Sequence, residues 1–366
     1  MLIMLFLSSG IFLGWSLGAN DASNIFGTAV GTRMVKFYTA AIVASIFVIL
    51  GAVISGAGTT HTLGKLGAVD MIAGAFMVAL AAAITVFWMT KLSLPVSTSQ
   101  AIVGAIVGWN LFAGKETDMA ALTKIASTWV MSPILAAGFS LVLFFIAKKA
   151  MEMWKIHIFR LDAYTRIGLI VVGAFGAYSL GANNIANVMG VFVSVAPFDS
   201  LNIFGFDFNG VEQLFLLGGL AIAVGIFTYS KRVMLTVGEG VVKLTPQTAL
   251  IVVLSQALVL FLFASKGLET WLLAHNLPAI PLVPVSSSQV VIGSILGIGL
   301  AHGGRGIRFR ALGRIASGWV TTPIIAAVIS FISLFFLQNV FDQQVVKSIN
   351  QTKIQNNISV EFTPHG

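Results

Sequence analysis

The chain has 366 residues, 57% hydrophobic and 9% charged, with no cysteine and a formal charge of +8. Soluble domains carry about 25% charged residues, so water is not the main solvent, and disulfides, thiol catalysis and thiolate metal sites are excluded. The basic excess is no nucleic-acid signature, because it gathers between apolar runs, at 148–166, 231–243 and 305–314, as the positive-inside rule describes for membrane proteins.

The opening stretch 1–7 lacks a basic n-region and reads as part of a first span rather than a cleaved signal. Asn20, Asp21 and Asn24 then interrupt an apolar stretch. Apolar runs follow at 37–57, 71–90, 123–147, 211–229, 248–265 and 312–337, several near the ~20 residues that cross a bilayer as a helix. They do not alternate apolar and polar residues as barrel strands do. The expectation is an all-α integral membrane protein of about 10–12 transmembrane helices. From 338 onward the chain is a polar tail. The basic clusters place both termini and the 197–210 loop outside, and 148–166 and 305–314 in the cytoplasm.

The chain also matches itself. SLGANDASNIFG at 16–27 returns as SLGANNIANVMG at 179–190, LPVSTSQ at 94–100 as VPVSSSQ at 283–289, and KIASTWVMSP at 124–133 as RIASGWVTTP at 314–323. A glycine pair follows each serine block, Gly104 with Gly108 and Gly293 with Gly297, and reads as helix packing. Three blocks in the same order make two repeats, 1–147 and 164–337, joined by a cytoplasmic linker at 148–163 and followed by an extracellular tail at 338–366. Each half holds about five crossings, an odd number, so the halves lie in opposite senses. Inverted repeats of this kind place a transport site at their interface near the midplane, on broken half-helices.

The serine blocks carry a helix-start pattern, proline and then hydroxyls before an apolar run. Only six residues separate Lys91 from Ser97, about 20 Å if extended, against about 15 Å for half a hydrocarbon core. The second copy descends through Pro278, Pro281 and Pro284, which do not form helix interior. Both helix N-termini therefore lie inside the membrane, where free N–H groups and the dipole suit an anion. The candidate anion residues are Ser97, Thr98, Ser99, Gln100, Ser286, Ser287, Ser288 and Gln289. Satisfying local backbone at a kink is their plainer role.

The asparagine blocks have a different chemistry. Asn and Asp disfavour helix interiors, and Gly18 and Gly181 precede the pairs, so both copies are expected to unwind. Freed carbonyls and amide or carboxylate oxygens are hard ligands that suit a sodium-like cation. Asn20, Asp21, Asn24, Asn183, Asn184 and Asn187 form that pool, and Asp21 is the sole acidic residue deep in a span. Interhelical hydrogen bonding is the plainer role of a single asparagine. His61 and His302 read as solvated loop residues. No second deep carboxylate, Ser/His pair or metal cluster supports an enzyme, and the two compact polar blocks argue against the continuous pore of an anion channel.

At these blocks the sequence resembles the inorganic phosphate transporter (PiT) family, the sodium- or proton-coupled phosphate symporters. The resemblance rests on the duplicated GAN segments at 18–27 and 181–190 and on the serine blocks, and runs from about 16 to 323. It implies inorganic phosphate import across the cell (plasma or inner) membrane, an inverted-repeat fold in the lipid bilayer and a homodimer. No cofactor is implied beyond co-transported sodium ions. Relatives also carry sulfate, and the alternative is a proton-coupled phosphate or sulfate permease of the same fold. One departure is Asn184, where the family commonly has Asp.

The topology has a direct check. A single cysteine introduced at position 155 is expected to react with a membrane-impermeant maleimide only from the cytoplasmic side. Labelling from outside on intact cells overturns the orientation.

Overall fold

The computed structural model describes residues 2–67, 69–92, 94, 96–154, 157–195, 198–203, 206–240, 242–304 and 307–347. Pro95, Pro197, Arg305, the linker positions 155 and 156, and the tail from 348 onward lie outside the described residues.

The first half comprises α1 (Leu2–Asn20), α2 (Ser23–Gly31), α3 (Phe37–Ser55), α4 (Ala57–Leu66), α5 (Ile72–Lys91), α6 (Thr98–Ala113) and α7 (Met119–Trp154). The second comprises α8 (Ile158–Met189), the antiparallel strands β1 (Leu201–Ile203) and β2 (Phe206–Phe208), then α9 (Gly210–Gly240), α10 (Pro246–Leu262), α11 (Lys266–Ala274), α12 (Ser287–Ala301) and α13 (Phe309–Asn339). Every apolar run of the sequence became a helix. Among the described residues seven helical stretches are long and apolar enough to span a membrane, with α1 and α2 counting as one. An eighth is the pair α10 and α11, bent by 65°, and α6 and α12 are shorter apolar helices. Seven, or eight with the bent pair, are thus long enough to cross, fewer than expected, and α6 and α12 fall short of that length. The stretch 148–163 holds the end of α7 and the start of α8.

Local chemistry sets the helix starts. Asp118 Oδ1 accepts the N–H groups of Ala120 and Ala121, both at 2.9 Å, at the head of α7. Asn209 and Glu212 cap each other reciprocally before α9, and Thr245 does the same with Thr248, with Pro246 at the first turn of α10. Such caps are worth about 1 kcal/mol each.

The two halves pack by exchange. Helix α1 lies on α9 as α3 lies on α8, α6 on α13 as α12 on α7, and α1 on α5 as α8 on α10. Glycines make these crossings close. A Cβ at Gly18 would overlap the Ile222 carbonyl, and one at Gly225 the Trp15 carbonyl; Gly51 and Gly181 bear the same relation to Tyr178 and Val48. Gly104 of α6 lies on the Pro323 carbonyl of α13, and Gly293 of α12 on the Pro133 carbonyl of α7. The glycine pairs thus act as packing residues, with helix backbones in contact across the halves.

Gly104→Val drives a side chain into the backbone of α13, so it is expected to cost about 1–3 kcal/mol and to lower the melting temperature of purified protein in detergent. Gly138→Ala, where a Cβ meets nothing within 4 Å, serves as the control and should be neutral or slightly stabilising. Equal melting temperatures for Gly104→Val and the control contradict the close crossing.

Candidate functional site

Helices α6 and α12 begin alike. Ser97 and Ser286 are the N-caps, their hydroxyls accepting the N–H groups of Gln100 (3.2 Å) and Gln289 (3.3 Å). All eight residues of the two serine blocks are buried, as are all six of the asparagine blocks. The structure brings both sets together.

The leading asparagine of each block is a clamp. Asn20 Nδ2 donates to Leu94 O (3.0 Å) and Thr90 Oγ1 (2.8 Å), while its Oδ1 accepts the Val96 N–H (3.2 Å). Asn183 Nδ2 donates to Val283 O (3.0 Å), and its Oδ1 accepts the Val285 N–H (2.8 Å). Each amide pairs with the extended backbone leading into a half-helix, as a neighbouring strand would. These bonds satisfy backbone groups that would be costly if buried unpaired.

The second residue of the pair reaches further. Asp21 Oδ2 accepts from the Thr98 hydroxyl, and Oδ1 accepts from the Ser287 hydroxyl at 2.7 Å. One carboxylate thus joins the first residues of both half-helices, where the positive dipole ends favour it. Asn24 Nδ2 also donates to Ser287 Oγ (3.1 Å). In the other block Asn187 Nδ2 donates to Ser99 Oγ and Asn184 Oδ1, both at 2.8 Å. The Ser99 hydroxyl lies in reach of Asn184 Oδ1 (3.2 Å) and Val285 O (3.1 Å), and Ser286 and Ser288 share a 3.0 Å hydrogen bond.

The expectation of two unwound breaks needs correction. The first copy turns at Asp21 and Ala22 between α1 and α2, but Asn183, Asn184 and Asn187 lie within the uninterrupted α8. The reason is local. The Ser23 hydroxyl donates to the Asn20 carbonyl and competes with the helix for it. At the matching position stands Ala186, which has no hydroxyl and favours the helix. His61 is also not in a loop: it lies on α4, while His302 caps the end of α12.

The buried amides leave a pattern of unused atoms. Asn24 Oδ1, Gln100 Oε1, Asn187 Oδ1 and Gln289 Oε1 are acceptors with no protein partner, and Asn184 Nδ2 is a donor with none. Sequence matching missed two residues. Thr90 supports Asn20, and Gln256 of α10 is fully buried with neither amide end partnered. A glutamine inside the apolar run 248–265 was the available signal. Neither residue belongs to a repeated block, so repeat matching did not single them out.

With this geometry in place, comparison with known proteins is decisive. The family model described as the phosphate transporter family matches residues 17–162, 154–330 and 269–360. The chain belongs to the phosphate transporter family. A Pyrococcus abyssi protein named by inference as a phosphate permease is 26% identical over 90% of this chain and 96% of its own. The sulfate permease of Bacillus subtilis is 27% identical over 93% and 90%. A solved structure described as the sodium-dependent phosphate transporter has the same fold, with a TM-score of 0.72 at 23% identity, covering 92% of this chain and 99% of its own. Family and fold are those of a multi-pass membrane transporter, not an enzyme.

The carboxylate bridge yields a test. Ser287→Ala removes a hydrogen bond to a charged group, worth about 1.5–3 kcal/mol, and should lower thermal stability accordingly. In an Asp21→Asn background the same change should cost much less, because paired groups are non-additive. Equal costs in the two backgrounds would rule out the bridge as the source of the loss.

Proposed function

We propose that this phosphate transporter imports inorganic phosphate by sodium symport through alternating access. The observation that carries the reading is the charge balance of the buried site. Asp21 is the only charged side chain among the buried described residues; no lysine, arginine or histidine accompanies it. A phosphate dianion entering beside Asp21 therefore meets a net negative side-chain charge, and helix dipoles of about half a charge each do not neutralise it. Positive charge has to arrive with the substrate. Moving a dianion into an inside-negative cell also costs about 4.6 kcal/mol per 100 mV, and two monovalent cations cancel that cost.

Which cation follows from the ligands. The unpartnered amide oxygens of Asn24, Gln100, Asn187 and Gln289 do not titrate, and oxygens of this kind suit sodium rather than a proton. Asp21, Asn24, Asn184 and Asn187 make the cation pool in this reading, while Asn20 and Asn183 hold the backbone around it. Ser97, Thr98, Ser99, Gln100, Ser286, Ser287, Ser288 and Gln289 surround the anion with hydroxyls, amides and first-turn N–H groups. The exchange of contacts between halves supports inverted repeats, 1–147 and 164–337; a cell membrane, external termini and a homodimer complete the proposal. The sulfate permease relative keeps one second reading open, a sulfate or proton-coupled phosphate permease on the same site.

In liposomes holding purified protein, an inward sodium gradient should drive phosphate accumulation that potassium cannot replace. Asp21→Asn should reduce sodium-dependent uptake by an order of magnitude or more while still inserting and eluting as a single species. Equal accumulation with potassium, driven only by a pH gradient, refutes sodium coupling.

A further inference from the structure

We infer that the cavity beside α4 is a capture site for the transported oxyanion, where His61 and Lys65 hold it before it passes beneath α4 to the serine blocks. The inference rests on the transport reading above. The cavity measures about 430 Å³ and is bounded by α4, by the chain after α8 at 190–194, and by the start of α9. Its walls are mostly small or apolar, with His61 and Lys65 the only ionisable residues among the described lining and no carboxylate among them. They stand four apart on one helix, hence on one face, and both are exposed.

Lys65 makes no ion pair among the described residues, whereas the nearby Lys115 is held by Asp70 at 2.7 Å. Lys65 also borders a second cavity with Lys115, Glu116 and Asp118. The wall it shares with His61 holds no acid among the described residues, and a concave apolar wall with basic groups concentrates anions. Apolar walls with a few polar groups are also the usual make-up of a small-molecule site.

The opposite face of α4 connects this cavity to the buried site. The Thr62 hydroxyl donates to Leu282 O at 2.7 Å, and Thr59 reaches Ala182 O at 3.4 Å. Leu282 precedes Val283, and Ala182 precedes Asn183, the two ends of the clamp that positions α12. One short helix therefore carries the basic pair outward and rests inward on the backbone of the anion site. An anion held by His61 and Lys65 is thus separated from the serine blocks by α4, which itself rests on the backbone beside Asn183 and Val283.

A phospholipid headgroup offers the same oxyanion chemistry. The free ion is favoured because α4, which carries both basic residues, is hydrogen-bonded through Thr62 and Thr59 to the backbone beside the clamp.

The test uses the full chain, wild type and the double variant His61→Gln with Lys65→Gln, in liposomes of zwitterionic phosphatidylcholine. Initial rates of radiolabelled phosphate uptake are measured under a sodium gradient at two ionic strengths. The expected result is a KM raised roughly three- to tenfold with kcat little changed, and a KM that responds to ionic strength in the wild type but not in the variant. An unchanged KM overturns the capture site. So does a KM effect that appears only when anionic lipid is added, since that marks a headgroup site. A wild type that moves neither phosphate nor sulfate overturns the transport reading instead, and is told apart by failing before any variant is compared.

Discussion

Asp21 joins two helix N-termini that belong to different halves of the chain, and much of the site's architecture depends on that junction. Its carboxylate receives hydroxyls from Thr98 of α6 and Ser287 of α12, so neither half-helix can shift alone without exposing a buried charge. Breaking one partner of a buried charge is costly, several kcal/mol in general. The pseudo-symmetric position holds Asn184, which is neutral and bonds instead with Ser99 and Asn187. The two halves are therefore alike in their clamps and half-helix starts but differ in charge and in the break at Asp21 and Ala22. In the proposed reading that difference would give the two halves different affinities for a cation.

In the proposed alternating-access reading, the glycine seams would let such a junction open and reclose. Helix α6 packs on α13 of the other half and α12 on α7, each through a glycine on a proline carbonyl. A proline carbonyl lies in a helix already lacking one ladder bond near that point. Contacts between small residues and backbone have few interlocking side chains, so one helix can tilt on the other without repacking a core. Each half-helix, with its serine block, thus rides on a long helix of the opposite half. Under the same reading, this exchange would couple movement of the two sides of the site.

Much of this was legible in the sequence because it was written twice. The spans followed from apolar length, and the half-helix starts at Ser97 and Ser286 from hydroxyls placed before an apolar run. Repetition singled out polar residues that the structure buries together. The same method failed where the copies differ. The helix breaks where Asp21, Ala22 and Ser23 stand against Asn184, Ile185 and Ala186, with the Ser23 hydroxyl on the Asn20 carbonyl. Thr90 and Gln256 lie outside the blocks and act through tertiary contact or burial. His61 was misplaced because α4 has little apolar length of its own, being held by Thr59 and Thr62 against the backbone of the other half.

The relation to both phosphate and sulfate permeases poses the question of what would separate two tetrahedral dianions of similar size. Hydrogen-phosphate carries one O–H donor, whereas sulfate at neutral pH carries none. A site made only of N–H and hydroxyl donors would accept either. Here the buried shell also contains acceptors, the carboxylate of Asp21 and the amide oxygens of Gln100 and Gln289. A buried acceptor that faces the phosphate O–H is satisfied by it and left unpaired by sulfate. Sites built to hydrogen-bond a substrate hydroxyl reject analogues lacking it by factors of 10⁴–10⁵ in favourable cases. A cation on the same oxygens removes that penalty, because it occupies the acceptor in place of the O–H. Under the proposed sodium symport, anion choice and cation occupancy would be linked through the same amide oxygens, and selectivity for phosphate would depend on which of them sodium fills.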